Sequence, residues 1–347
     1  RGNCNFSENK IGKSVRTKEK MSESAERKIK LLLLYEILRK QTDERHPMTT
    51  GELSDALLNC GIAVSRKTLY EDIETLNRYG FEILCDKSRS NRYYVADHKF
   101  ERPEIQILLQ AIGAAKFLTE KKSSALSHKI AELLGESQAE ELADTVAKNH
   151  AKSGNEHIYY SIDAIMTALL EKKKLSFLYF DTDLYGKRTY RKSGERYEVN
   201  PLGMVYSGDY FYLVCYHDKY GDAANYRIDR MDDVQAEKQK ITYNARFVRF
   251  DINAYRREIF SMYTGEQRKV ELLFPKELAE IARDRFGESC RIVSDRDGYI
   301  VCTMVQVSKT FFSWLTTFEG KVKILRPAEV KEEFQVFIEN ITKNLDV

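Results

Sequence analysis

The stretch between residues 173 and 230 most constrains what this chain can fold into. The segments "KKLSFLYFD", "YEVNPLGMVYS", "DYFYLVCYH" and "NYRIDR" follow one another with polar turns at Ser207-Gly208-Asp209 and Tyr220-Gly221-Asp222. Side chains alternate across a strand. Tyr210, Tyr212, Val214 and Tyr216 therefore share one face, and Phe211, Leu213, Cys215 and His217 the other. Both faces are largely apolar, so at least one is core. Several short strands with glycine-bearing turns predict a small antiparallel β-barrel of Sm or SH3 type. "HIYYSIDAIMTALL" reads as a helix leading into it. Ser161 is its expected N-cap, and Ile162, Ile165, Met166, Leu169 and Leu170 are its expected buried face.

Upstream the period changes to that of helices. Ile29, Leu33 and Ile37 repeat at four, with Leu34 and Leu38 beside them. Thr49 and Glu52 have capping-box spacing ahead of the stripe Leu53, Ala56 and Leu57, and Gly61 suits the end of that helix. In "SRKTLYEDIETLNRYG", Ser65 is an N-cap, Leu69, Ile73 and Leu76 face inward, and Gly80 closes the helix. "FEILC" and "RYYVA" flank the polar loop "DKSRSN" as a hairpin.

Three helices and a hairpin predict a winged helix-turn-helix over 24–100. Its third helix would present Ser65, Arg66, Lys67, Thr68, Tyr70 and Glu71 to a DNA groove. Lys87, Arg89 and Arg92 of the wing would touch the neighbouring backbone. Glu71, Asp72 and Glu74 on the same helix would oppose this if they faced phosphate. The expected partner is double-stranded operator DNA.

Residues 101–156 carry almost no strand signal and read as a helical linker, a plausible dimer-forming spacer. The barrel is placed at 157–240 and a connector at 241–267. An α+β unit spans 268–347, in the order strand, helix, hairpin, helix, strand, helix, with Leu278, Ile281 and Ala282 inward on its first helix. Trp314 is the only tryptophan and reads as a core or interface anchor. The first 23 residues, polar and rich in Lys and Arg, read as a disordered arm. The fold class expected is thus multi-domain α+β.

Composition excludes several classes. The net charge is +3, so any contact with nucleic acid rests on local charge placement rather than a global field. No apolar run is long enough to span a membrane, and no secretory signal opens the sequence. The six cysteines, scattered without metal-ligand spacing, read as reduced thiols of a cytoplasmic protein. No metal or cofactor is expected. Asp181-Thr182-Asp183 and Asp232-Asp233 are the one acidic arrangement that a metal-dependent nuclease could use. No phosphate-binding glycine loop or nucleophile elbow appears.

Two resemblances sharpen the reading. The string "SRKTLYEDIETL" and its surroundings, about 24–97, resemble the winged helices of DeoR-like bacterial repressors. "NPLGMVY", "GDYFYLVCY" and "YRIDR" occur in the order of the WYL domain of bacterial transcription factors, as does "KKLSFLYFD", so that about 157–235 resembles that domain. Phe211 stands where the family has Trp, and Ala224 where it frequently has Arg. "SWLTTFEGKVKILRPAEV" is similar to the extension that follows WYL domains and helps assemble a dimer. The resemblance implies a non-enzymatic homodimeric regulator that senses a negatively charged nucleotide or single-stranded nucleic-acid effector. Its effector residues would be Tyr212, Arg227 and Arg230, with Tyr179, Arg188, Tyr197 and His217 around them. An effector-independent architectural DNA binder is the alternative.

Overall fold

The structure is a computed structural model that describes residues 23–87, 90–96, 100–135, 139, 142, 152–219, 222–287 and 290–343. Most of the linker stretch 136–151, Arg89 and the turn at 220–221 lie outside those residues. The fold is mixed α+β, with helices and curled antiparallel sheets. The chain divides into two compact units, Arg1–Ala115 with Glu120–His150, and Lys116–Thr119 with Ala151–Val347.

In the first unit, helices α1 (Glu23–Gln41), α2 (Thr50–Asn59) and α3 (Arg66–Arg78) surround one core with a three-stranded sheet. That sheet runs in the order β1 (Met48–Thr49), β3 (Arg92–Val95), β2 (Ile83–Asp86), and β1 was not anticipated. The caps form as the spacing predicts. Thr49 Oγ1 accepts from the Glu52 amide at 3.2 Å, and Glu52 Oε2 accepts from the Thr49 amide at 2.7 Å. Ser65 Oγ accepts from the Thr68 amide at 3.2 Å. Leu34, Ile37 and Leu38 are the buried face of α1, whereas Ile29 is 41% exposed. A four-residue repeat drifts by roughly 40° per step on a helix of 3.6 residues per turn, so Ile29 has left the face that Ile37 occupies. Helices α4 (Arg102–Ala114) and α5 (Glu120–Ala131) form a separate small core around Ile105, Leu109 and Ala131.

In the second unit, α6 (Ile158–Leu170) precedes six antiparallel strands. Five follow the path β5 (Arg188–Tyr190), β4 (Lys173–Thr182), β6 (Tyr197–Ser207), β7 (Tyr210–Tyr216), β8 (Ala223–Arg227). The sheet curls because β4 pairs both with β6, through Leu175–Phe177, and with β9 (Met231–Lys240). The start of α6 differs from expectation. His157, not Ser161, is the cap residue, and Ser161 is a buried interior residue whose hydroxyl donates back to the His157 carbonyl. The reason is Asn155. Its Oδ1 accepts from the His157 amide at 2.9 Å, and its Nδ2 donates to the carbonyls of Asp229 and Met231, so the helix begins earlier. The buried stripe shifts with it, to Ile158, Ser161, Ile165 and Ala168, leaving Met166 and Leu170 exposed.

Residues 241–265 do more than connect. Helix α7 (Ile252–Glu258) and the turn after it press Tyr255, Ile259 and Met262 onto Val205 and Val214, which covers the second face of β6 and β7. This answers the two-faced apolarity of "DYFYLVCYH". Beyond it, a four-stranded sheet has the order β11 (Arg291–Asp295), β12 (Gly298–Val307), β10 (Glu266–Phe274), β13 (Lys323–Arg326). Helices α8 (Ala279–Phe286), α9 (Lys309–Thr316) and α10 (Ala328–Lys343) accompany it. Ala282 and Phe286 are the inward pair of α8, and Ile281 points outward instead, 39% exposed. Trp314 packs among Phe260, Phe274, Phe286 and Phe318.

Candidate functional site

Alternation along β4 and β6 brings rings together on the inner side of the curled sheet. Phe177 and Tyr197 stack with centroids 5.5 Å apart and nearly parallel planes. Tyr226 meets Phe177, Tyr179 and Tyr197 edge-on at 5.1–5.4 Å. Tyr226 pairs with Leu213 across the β7–β8 ladder, which places it on the inner face. The Tyr226 hydroxyl lies 2.7 Å from Nε2 of His217; it donates to Nε2 in the tautomer protonated at Nδ1 and accepts from it otherwise. Burial, and next the positive charge of Lys192, hold the His217 pKa down. Burial likewise pushes the Tyr179, Tyr197 and Tyr226 hydroxyls up. The rings are neutral stacking surfaces at physiological pH.

Cations rim this cluster. Lys192 Nζ stands 3.9 Å from the Tyr197 ring centroid, and the Arg191 guanidinium 5.3 Å from that of Tyr179. Lys192 has φ 49°, a left-handed turn that lifts the "RKSG" segment over the rings. Asp181 ties the rim together. It accepts from Arg191 Nε at 2.6 Å and Nη2 at 2.8 Å, and from Arg230 Nη1 at 3.4 Å. The hydrogen bonds from Arg191 are the main cause of a lowered Asp181 pKa. Arg230 therefore pairs with Asp181 rather than with its sequence neighbours.

The expected effector residues divide into groups. Tyr179, Tyr197, His217 and Arg230 belong to the inner cluster. Tyr212 and Arg227 face each other across the ladder on the opposite side of β7 and β8. There Tyr212 packs half-buried with the α7 residues. Arg227 lies 3.4 Å above the Tyr210 ring centroid and grips Asp229 with Nε at 3.1 Å and Nη2 at 2.7 Å. Burial opposes the Arg227 charge most strongly, and the Asp229 hydrogen bond and charge, together with the neighbouring tyrosines, outweigh it and raise the Arg227 pKa. Arg188 stands apart, 4.4 Å above Phe180 and bonded to the Gly154 carbonyl. The sequence reading missed Arg191, Lys192, Tyr210 and Tyr226. Strand parity could have placed Tyr226 beside Leu213, but nothing local in "RKSG" announces a turn over Tyr197.

The acidic pairs are engaged in hydrogen bonds. Asp183 accepts from the amides of Tyr185 and Lys187, Asp232 from the Tyr190 hydroxyl, and Asp233 from Gln235 and Arg196. Among the described residues no group of three or more His, Cys, Asp or Glu could hold a metal ion. No described helix is long and apolar enough to cross a membrane.

On the first unit, Ser65, Arg66, Lys67, Tyr70 and Glu71 are exposed at the start of α3, and Thr68 is half-buried with its hydroxyl 2.8 Å from that of Ser65. Lys87 and Arg92 are exposed near the hairpin. Arg66, Lys67, Lys87 and Arg92 form no ion pair among the described residues. Asp72 is turned inward, its Oδ2 2.7 Å from Lys30 Nζ, with both side chains 12% exposed. The pair meets by charge and distance rather than by aligned hydrogen-bond geometry. Glu74 is held by Arg78 at 3.2 Å. Of the three acids on this helix, Glu71 alone stays exposed and unpaired among the described residues.

Residues 161–236 match the family model of the WYL domain, which supports the resemblance over that span. Two solved structures are similar to the chain. One is proteasome accessory factor B/C (PafBC) of Arthrobacter aurescens, with 18% identity over 90% of this chain and 48% of that one and a TM-score of 0.29. The other is a CRISPR Cas-related protein, with 14% identity over 94% of this chain and 81% of that one and a TM-score of 0.36. The chain spans about half the length of the former. No curated protein matches the sequence.

Proposed function

We propose that this chain is a bacterial transcription regulator, active as a cytoplasmic homodimer, whose WYL domain senses a negatively charged nucleotide or single-stranded nucleic-acid effector. The observation that carries the reading is the inner cluster within the WYL match. Arg191, Lys192 and Arg230 gather positive charge for a phosphate, and the buried rings of Tyr179 and Tyr197 with half-buried Tyr226 pack beside them as an aromatic support. His217 belongs to this cluster, whereas Tyr212 and Arg227, on the opposite side of β7 and β8, and Arg188, over Phe180, are proposed as separate contacts.

Residues 24–100 are proposed as a DeoR-like winged helix-turn-helix. Three helices, two of them with side-chain N-caps, a three-stranded sheet and Arg66 and Lys67, unpaired among the described residues at the tip of α3, support a role in reading operator DNA, with half-sites about 34–36 Å apart or a multiple. The strands at 157–240 are proposed to form an Sm/SH3-like barrel, and 268–347 a WYL extension that assembles the dimer. The effector changes DNA binding only through a difference in its affinity for two placements of the readers.

The test is purification of the full chain, extraction of bound small molecules and oligonucleotides, and mass spectrometry. A co-purifying nucleotide or oligonucleotide that alters DNA binding when added back is the expected result. DNA binding indifferent to every nucleotide and single-stranded probe would instead favour an architectural binder.

A further inference from the structure

Several arginines of the second unit carry their own counterion. Arg191 and Arg230 share Asp181, Arg196 holds Asp233, Arg227 holds Asp229, and Arg268 holds Glu266 and Glu333. Arg285 on α8 breaks the pattern. Its guanidinium lies 3.9 Å above the centroid of the Phe260 ring, and Nη2 donates to the Ile259 carbonyl at 2.7 Å. No carboxylate of the described residues pairs with it. Its nearest charged influence is another cation, Arg256 of α7. Burial, and next the Arg256 charge, bring the Arg285 pKa down to about 10. Arg256 itself is exposed and, like its half-buried neighbour Arg257, has no ion pair among the described residues. The adjacent Glu258 accepts from Gln267 Nε2 at 2.7 Å.

Arg285 is half-buried, and a partly desolvated guanidinium without a counterion is destabilised, the more so with a second cation near it. The platform beneath it is firmly held. Phe260 is buried against Phe311 and Trp314, each at 5.1 Å, and its carbonyl accepts from Thr310 Oγ1 at 2.9 Å. With one nitrogen engaged and the plane set by the ring, the rest of the donor fork remains for a planar or tetrahedral oxyanion. Tyr263, bridged to Phe260 and mostly exposed, offers a second aromatic face close by.

We infer that Arg285, held on the Phe260 platform with the charge of Arg256 near it, forms an oxyanion site that takes the phosphate of a nucleotide or of a single-stranded oligonucleotide. The inference does not rest on the proposed regulator role, and it uses none of the residues of the aromatic cluster.

Trp314, the only tryptophan, sits against Phe260 and Phe286, so its fluorescence reports on this platform. The full chain is titrated with inorganic pyrophosphate at constant ionic strength. Parallel titrations use a short thymidine oligonucleotide with and without a 5′-phosphate. The expected result is a saturable change with pyrophosphate. Half-saturation should move up about tenfold in Arg285→Gln and about threefold in Arg256→Ala, consistent with loss of charge-assisted donors. Competition by both oligonucleotides assigns the site to backbone phosphate, by the 5′-phosphorylated one alone to a terminal phosphate, and by neither to a free nucleotide. Arg256 is exposed, so its variant keeps the test alive if Arg285→Gln fails to fold. A flat titration with every probe, or equal half-saturation in wild type and both variants, overturns the inference. Substitution at Arg191 should leave the pyrophosphate response intact, which separates failure here from failure of the effector cluster.

Discussion

If the cationic rim binds an anionic effector as proposed, the Asp181 carboxylate competes with it for Arg191 and Arg230. This carboxylate takes two short hydrogen bonds from Arg191 and a longer one from Arg230, so it engages both rim guanidiniums. Asp181→Asn keeps the shape and removes the charge. Asp181 and Arg191 are each roughly half exposed, so the pair is screened, and its worth is that of a good surface ion pair, about 1 kcal/mol at most. An effector phosphate that must displace it gains that amount in the variant, or roughly fivefold in affinity. The assay is fluorescence anisotropy of a labelled single-stranded oligonucleotide with wild type, Asp181→Asn, Arg191→Ala and the double variant at several salt concentrations. Asp181→Asn should bind about fivefold tighter and lose less than about 1 kcal/mol of stability. The gain should vanish in the Arg191→Ala background. Weaker binding by Asp181→Asn, or an equal gain without Arg191, would refute the reasoning that this carboxylate competes for the rim.

Arg66→Ala with Lys67→Ala should weaken binding to duplex DNA and lower the slope of log affinity against log salt by about 2; an unchanged slope with intact circular dichroism would remove both from the interface. Arg227→Ala strands Asp229, 6% exposed, without its bidentate partner, and is expected to cost about 3 kcal/mol in urea unfolding, so effector tests at this position need a fold control. Since His217 has a lowered folded pKa and an unfolded value near about 6.5, the unfolded chain takes up its proton first as the medium acidifies. The His217 contribution is flat above about pH 6.5 and turns destabilising below it, and His217→Gln should remove that part of the slope between neutral and mildly acidic pH.

Much of this was legible in residue pattern. Capping residues and glycines at helix ends are local signals, and Thr49, Ser65, Gly61 and Gly80 sit where local rules place them. Alternation in 210–217 identified the strand but not what lies on each side. That depended on α7, which folds back from forty residues further along the chain to bury Val214. The helix at 158 was misphased because its start is set by Asn155 bonding to carbonyls more than seventy residues away. Of the residues named from the sequence, Tyr179, Tyr197, His217 and Arg230 come together in one cluster. The cluster was not legible in its ion pairs, because Arg230 meets an aspartate 49 positions earlier rather than one beside it. Sequence adjacency is a poor guide to charge pairing once strands cross.

The same Asn155 side chain has a mechanical consequence. Its amide group staples the backbone on both sides of Arg230 to the chain just before α6, and the Ser153 amide in turn reaches the carbonyls of Lys116 and Leu118. Displacing the 229–231 peptide while leaving 153–157 in place would break two buried hydrogen bonds, at about 1–3 kcal/mol each. The guanidinium at the rim and the peptide that leads out of the unit at residue 116 are thus linked by a rigid strut of only a few bonds.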